Sequence, residues 1–146
     1  MAETLGSLCD KLTIVKLKQF HTEDSERLQS LQAQQLQIEG EIDAFVNAAI
    51  NGQIPVEKLT FKSNKVYKKE GNEVSAINGS FGTVFSKLAE VNCDLWHEQE
   101  KVYEFEKVAP EQKDKVIKQL AILNLERNNC IDAIDANFQQ LIKEKQ

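Results

Sequence analysis

The sequence predicts an all-α protein, and three observations support this prediction: a duplicated stretch, apolar residues at helical spacing, and few helix breakers. The stretch Leu5 to Asp24 recurs 76 residues later as Phe81 to Glu100, with five of twenty aligned positions identical. The chain has only two prolines and six glycines. Because self-similarity at a fixed offset indicates a duplicated unit, we expect an antiparallel four-helix bundle built from a duplicated αα-hairpin with a long crossover loop.

The first predicted hairpin spans about residues 2–51. Its first helix, about 2–23, has apolar residues at steps of three and four, which form one helical stripe: Leu5, Leu8, Leu12 and Val15. Asp24 or Ser25 can cap the second helix. That helix, about 26–51, carries an apolar seam of Leu28, Leu31, Ile38, Ile42, Phe45 and Ala49, and Gly52 supplies a stop signal.

The second predicted hairpin spans about residues 81–143. Its first helix, about 81–108, repeats the apolar stripe at Phe81, Val84, Leu88, Val91 and Leu95. Pro110 marks the turn, because proline is tolerated in the first turn of a helix. The last helix is expected from about 111 to 143, with its seam at Val116, Leu120, Leu123, Cys130, Ile134 and Leu141.

Composition indicates a single domain over residues 1–146 that can bury a core without disulfides. Apolar residues make up 41% and charged residues 28% of the chain, and the formal net charge is −5. This charge disfavours nucleic acid and anionic membrane as partners. The sequence has no apolar run long enough for a membrane helix, so a cytoplasmic protein is expected. Cys9, Cys93 and Cys130 are expected to be free thiols.

The crossover, residues 52–80, contains the one basic tract, formed by Lys58, Lys62, Lys65, Lys68 and Lys69. Phe61 and Tyr67 are interleaved with these lysines, as in proteins that bind single strands without sequence preference. One interpretation is a solvated loop whose aromatic residues attach it to the bundle. The other is contact with an anion, a lipid headgroup or nucleic acid.

Polar residues interrupt the predicted stripes in matched pairs. Lys16 corresponds to Asn92 and Gln35 to Arg127, and the pair Glu23 and Gln99 lies two turns beyond Lys16 and Asn92. If the two halves pack as the repeat suggests, Lys16, Gln35, Asn92 and Arg127 form a polar layer through the bundle. One interpretation is that Glu23 or another acid neutralises Arg127 and the layer sets helix register. The other is a site for an anion or sugar, with cationic donors from Lys16 and Arg127.

A second hypothesis concerns the only two histidines, which also occupy matched positions. His21 and His97 are each followed three residues later by a carboxylate, Asp24 and Glu100. Two such pairs could hold a divalent metal such as Mg or Mn. Di-iron bundles use the opposite order, Glu-x-x-His. Because both histidines lie away from the main stripe, we interpret them as exposed residues and expect no resident cofactor.

An enzymatic alternative starts from Glu90 and Asp94, which lie one helical turn apart. All-α nucleotide pyrophosphohydrolases of the MazG type bind Mg²⁺ through E-x-x-E and a later E-x-x-D. Here Glu23-x-x-Glu26 falls at a predicted turn, and no E-x-x-D follows at a suitable distance. The match to this pattern is thus incomplete. The alternative functional hypothesis is a metal-dependent hydrolase or transferase acting on nucleotides or sugar nucleotides.

Two segments together, LGSLCDKLTIVKLKQFH (5–21) and LAEVNCDLWHEQE (88–100), resemble an uncharacterised helical family, domain of unknown function 4254. Its members occur in bacteria and bacteriophages, sometimes beside genes for surface-polysaccharide assembly. Lys16 stands where the family pattern has a neutral polar residue. The resemblance implies a helical fold and a possible phage origin, hence a host-cytoplasmic setting, and draws attention to Asn92 without implying a substrate.

The leading functional hypothesis is a small binding or adaptor module of unknown specificity. Its expected partner is another protein or a small anionic ligand, received by the polar layer or by the lysine tract. A homodimer is also an expected assembly, since heptad-like stripes often continue across interfaces.

Overall fold

The computed structural model describes residues 2–61 and 77–145, which form four α-helices and no strand. The helices are α1 (Leu5–His21), α2 (Ser25–Ile50), α3 (Phe81–Tyr103) and α4 (Pro110–Glu144). Short 3₁₀ turns lie at Val56–Lys58 and Phe105–Lys107. The predicted all-α class and the four-helix packing are confirmed. None of the helices in the described ranges combines the length and apolar composition needed to cross a membrane.

Side chains just before α1, α2 and α3 each accept a hydrogen bond from an N–H group in the first turn of the helix. The hydroxyl of Thr4 accepts a hydrogen bond from the Ser7 N–H at 3.2 Å, and the Ser7 hydroxyl accepts one from the Thr4 N–H at 2.8 Å. This reciprocal pair is a capping box. Asp24 caps α2 through the Glu26 N–H, as the sequence predicts, and Ser80 caps α3.

The helix ends follow local backbone chemistry. Gly52, just after α2, has φ +73°, a conformation that glycine adopts without strain. Helix α3 ends at Tyr103 and not near residue 108, because Glu104 leaves the helical region and a 3₁₀ turn follows. Pro110 then begins α4. The N–H that proline lacks would have no partner within the helix at this position.

Helix α1 lies at the centre of the bundle and contacts α2, α3 and α4. It runs antiparallel to α4, because Gly6 pairs with Asp135 and Asp10 with Arg127. It runs parallel to α3, because Thr13 pairs with Asn92 and His21 with Trp96. The predicted stripe of α3 is confirmed as core, with Val84, Leu88 and Val91 no more than 1% exposed.

Helix α2 is the least buried of the four. Of its predicted seam, only Leu31 and Ala49 are fully buried. Ile42 and Phe45 pack against the core from its edge, and the Phe45 ring lies 6.3 Å from that of Phe138. Helix α2 therefore covers one side of α1 and contributes less to the interior than its sequence pattern predicts.

The described ends of the crossover are attached to α4. The side chain of Gln139 donates to the carbonyl of Val56 at 2.8 Å, and that of Asn137 donates to the carbonyl of Gly79 at 3.2 Å. Leu59 is completely buried. Lys58 is exposed, whereas Lys62, Lys65, Lys68, Lys69 and Tyr67 lie outside the described residues.

Candidate functional site

A buried carboxylate joins three helices near the middle of the bundle. Asp10 of α1 is 4% exposed. The guanidinium of Arg127, on α4, donates to both of its oxygens, with Nε 2.8 Å from Oδ1. The side-chain amide of Asn92, on α3, donates to Asp10 Oδ1 at 3.0 Å and to Thr13 Oγ1 at 2.8 Å. We call Asp10, Thr13, Asn92 and Arg127 the polar layer from here on.

Charge and hydrogen bonds balance within the polar layer. The hydrogen bond from Arg127 to Asp10 raises the pKa of Arg127, more than burial lowers it. The two-pronged geometry of this pair is the strong form of a carboxylate contact. Among the described residues, no buried side-chain nitrogen or oxygen lacks a hydrogen-bond partner. Two of the donors that the sequence offers to an external anion, Asn92 and Arg127, are thus engaged by an internal one.

A second buried carboxylate joins the start of α1 to α4. Asp135 is 2% exposed, and its Oδ1 accepts the Gly6 N–H at 2.7 Å. Burial raises the pKa of Asp135 to about 6, opposed by the hydrogen bonds from Gly6 and from the Thr4 side chain. A Cβ atom at Gly6 would lie 2.5 Å from the carbonyl oxygen of Ile131, so only glycine permits this approach.

Sequence reasoning found Asn92 and Arg127 but missed their partner. Asp10 lies beside the apolar stripe of α1, and its repeat counterpart is Ser86. The duplication therefore does not indicate that Asp10 is a buried partner of Arg127. The signal that could have found it is a narrow face of small and polar residues at steps of four and three: Gly6, Asp10 and Thr13. Such a face is typical of a close helix crossing that buries hydrogen-bonding groups.

The other predicted site residues lie apart from the polar layer. The prediction that Lys16, Gln35, Asn92 and Arg127 form one layer is therefore wrong. Lys16 is exposed, because six residues of helix separate it from Asp10 and rotate it by about a third of a turn. Its Nζ lies 3.4 Å from Gln35 Oε1. The same Gln35 oxygen accepts a hydrogen bond from Gln19 of α1 at 2.9 Å, and the Gln35 amide donates to Glu39 within α2 at 2.8 Å.

Glu23 is exposed in the link between α1 and α2, and Gln99 is exposed on α3. Neither reaches the polar layer. The structure therefore brings together two of the six predicted ligand-binding residues, around an acid of the protein itself.

An apolar groove runs along the outside of α1 and α3. Its cavity volume is about 510 Å³. Its walls are formed by Leu12, Thr13, Lys16, Leu17, Phe20, Phe85 and Ala89. At one end the Phe20 side chain is 84% exposed, with its ring edge-on to His21 at 5.2 Å. We refer to these seven residues as the α1–α3 groove.

The two histidines do meet, at the end of α1. The ring of His21 stacks on Trp96 at 4.7 Å and lies edge-on to His97 at 6.1 Å. His97 Nδ1 is 3.9 Å from Glu100 Oε2, whereas Asp24 caps α2. In the part of the chain that the structure describes, no three His, Cys, Asp or Glu side chains are grouped to hold a metal.

The remaining candidate reactive groups have ordinary structural environments. Glu90 pairs with Lys87 at 3.4 Å, and Asp94 is exposed. Burial raises the pKa of the Cys9 thiol to about 12 and that of Cys130 to about 11. Because the thiolate is the nucleophilic form of cysteine, these two residues are packing groups.

No protein-family model matches the chain, and no curated protein or solved structure is significantly similar to it. The resemblance to domain of unknown function 4254 therefore stays a prediction.

Proposed function

We propose that this protein is a non-enzymatic helical binding or adaptor module, and that the α1–α3 groove receives an apolar segment of a partner protein. The expected cytoplasmic setting, in a host cell if the gene is carried by a phage, belongs to this proposal. The observation that carries it is Phe20, a large aromatic side chain left 84% exposed at the end of an apolar groove.

The energetic reason lies in the hydrophobic effect. Covering an exposed phenylalanine contributes roughly 1.5–3 kcal/mol. A contiguous apolar surface with polar residues around it is typical of a protein interaction site. Leu12, Leu17 and Phe85 extend the apolar surface beyond Phe20, so a partner could cover several side chains at once.

The contacts of the polar layer favour a structural role for these residues over the binding of an external anion. Two N–H donors of Arg127, at Nε and Nη2, and the amide of Asn92 already contact Asp10. An external anion that took over these donors would have to displace a carboxylate that is 4% exposed, leaving its charge buried without a partner. Such displacement costs several kcal/mol. The lysine tract and the metal-dependent hydrolase or transferase stay predictions of the sequence, and no contact among the described residues favours either.

The proposal is tested with a synthetic amphipathic helix of leucine and glutamine, titrated calorimetrically into the protein. Phe20→Ala should weaken binding about tenfold or more, because each 1.4 kcal/mol corresponds to tenfold in affinity. The matched control is Tyr103→Ala, which removes an aromatic side chain that is 79% exposed and lies outside the groove.

We expect the Tyr103 variant to bind like the wild type. The proposal is contradicted if the wild-type protein does not bind the peptide, or if both variants lose the same affinity. Thermal unfolding of each variant separates lost binding from lost folding.

A further inference from the structure

The charge at the centre of the α1–α3 groove has no strong partner in the part of the chain that the structure describes. Lys16 is the only charged residue of the groove. Among the described residues, its one polar contact is the neutral side-chain oxygen of Gln35, at 3.4 Å. Lys11, on the same helix, is instead held by Glu3 at 2.8 Å. The groove therefore combines an apolar surface with an ammonium group that forms no ion pair within the described ranges, where Glu39 instead accepts from the Gln35 amide.

Helix α1 is locally basic within an acidic chain. Between Leu5 and His21 it contains three lysines and one acid, and that acid is Asp10, which Arg127 neutralises. The whole chain has a net charge of −5. Since exposed charges act mainly within about a Debye length, a ligand in the groove is affected most by the charges beside it, and Lys16 lines the groove itself.

The shape of the groove suits a third helix. From Leu12 to Phe20 it extends eight residues along α1, roughly 12 Å or just over two helical turns. Its other wall comes from Phe85 and Ala89 of α3, which runs parallel to α1. A helix laid in such a groove uses apolar side chains at steps of three and four.

We propose that the occupant of the groove is an amphipathic helix of a different protein, carrying a glutamate or aspartate beside its apolar stripe. The apolar side chains cover Leu12, Leu17 and Phe20, and the carboxylate pairs with Lys16. This inference rests on the proposed function of the groove and adds the chemistry of the partner.

A second copy of this chain fits the groove less well. In a two-fold symmetric interface each residue faces its own counterpart near the axis. Lys16 lies midway between Leu12 and Phe20, so an axis through the middle of the groove brings two Lys16 ammonium groups together. Such like-charge contacts destabilise an interface.

The test uses two versions of one synthetic amphipathic helix, identical in apolar residues and differing only in glutamate or lysine at the flanking positions. Wild-type protein should bind the glutamate peptide about fivefold more tightly, the effect expected of one partly exposed ion pair. Lys16→Glu should abolish or reverse this preference. Lys18→Glu is the control, since it makes the same change in net charge at a residue that lines a different cavity.

Each outcome has a distinct meaning. If both peptides bind equally and Lys16→Glu changes nothing, the acidic partner is excluded while the groove remains a docking site. If neither peptide binds, the proposed function itself fails.

Two further results would contradict the proposed partner and show that something else occupies the groove. Concentration-dependent dimerisation of wild-type protein that Phe20→Ala removes, measured by sedimentation, would show that a second copy fills the groove. Binding to phosphatidylserine vesicles that Lys16→Glu removes would show a membrane surface instead.

Discussion

Helix α1 has two regions of contrasting chemistry, one in which polar groups are buried among apolar side chains and one in which a large aromatic side chain is exposed. The face towards α3 and α4 buries Asp10 and the backbone of Gly6, with Arg127 and Asp135 as partners. The outer face leaves Phe20 uncovered. The inner face uses its polar groups to fix how the helices pack, whereas the outer face retains apolar surface that nothing in the described chain covers. The difference indicates that stability and binding are located in two neighbouring regions of one helix, which meet at Thr13.

The inner face also defines one arrangement of the helices. A buried ion pair between packed helices is costly in any register that separates its members. Asp10 contacts Arg127 on α4 and Asn92 on α3, so sliding or rotating α1 breaks contacts to both helices at once. Substitutions on this face should therefore change stability, and substitutions in the groove should change binding.

The largest effect is expected from Arg127→Ala. It leaves the Asp10 carboxylate buried with Asn92 as its remaining partner, and breaking a buried pair costs roughly 3–5 kcal/mol. We expect the lower end of this range, because the Arg127 side chain is 32% exposed. Urea unfolding measures the loss. Gln35→Ala, at the matched position of the first hairpin, should cost less than about 1 kcal/mol.

Equal losses for the Arg127 and Gln35 variants would show that the polar layer has no special role in stability. A loss of peptide binding in Arg127→Ala, with folding retained, would instead place binding on the inner face.

The second effect is a pH dependence from Asp135. Its pKa is raised from 3.8 to about 6 in the folded protein, so the folded state binds the proton more tightly than the unfolded state. This contribution favours folding below about pH 4 and is lost as the pH rises through about 6. Two pKa units correspond to roughly 3 kcal/mol.

Asp135→Asn keeps the acceptor for the Gly6 N–H and removes the titration. We expect this variant to be as stable as wild type at pH 5 or more so, and to lose less stability between pH 4 and pH 7. The control is Asp43→Asn, the exposed repeat counterpart, which should leave the wild-type pH profile unchanged. Identical profiles for all three proteins would refute the assignment to Asp135.

The smallest stability effects are expected at two matched glycines, Gly6 and Gly82. Substitution by alanine should change the free energy of unfolding in opposite directions at the two positions. Gly6→Ala places a Cβ 2.5 Å from the Ile131 carbonyl oxygen, and relieving this overlap should cost about 1–3 kcal/mol. Gly82→Ala meets no atom within 4 Å and should stabilise α3 by up to about 1 kcal/mol. Thermal unfolding distinguishes the two. Destabilisation of similar size in both variants would contradict the close approach of α1 to α4.

The fold could be predicted from the sequence because it depends on local signals. Helical periodicity, the cap at Asp24 and the stop at Gly52 each act within a few residues, and all are confirmed. The apolar stripe of α3 is also confirmed as core.

The arrangement of the site could not be predicted in the same way, since burial depends on how each helix is rotated towards its neighbours. The repeat suggested that the two halves are equivalent, whereas Asp10 has only Ser86 as its counterpart and Lys16 faces solvent. Asn92 and Arg127 were identified by their place within apolar stripes. Their carboxylate partner, and the uncovered groove beside Leu12 and Phe20, required the three-dimensional packing.

The most direct test of this division is to map, by amide chemical-shift changes in NMR spectra, where the glutamate peptide binds. Our account predicts that the largest changes lie along the α1–α3 groove, around Leu17, Phe20 and Ala89. Changes concentrated at Arg127 and Asn92, or their reproduction by inorganic phosphate alone, would contradict it, because the polar layer would then be the binding site.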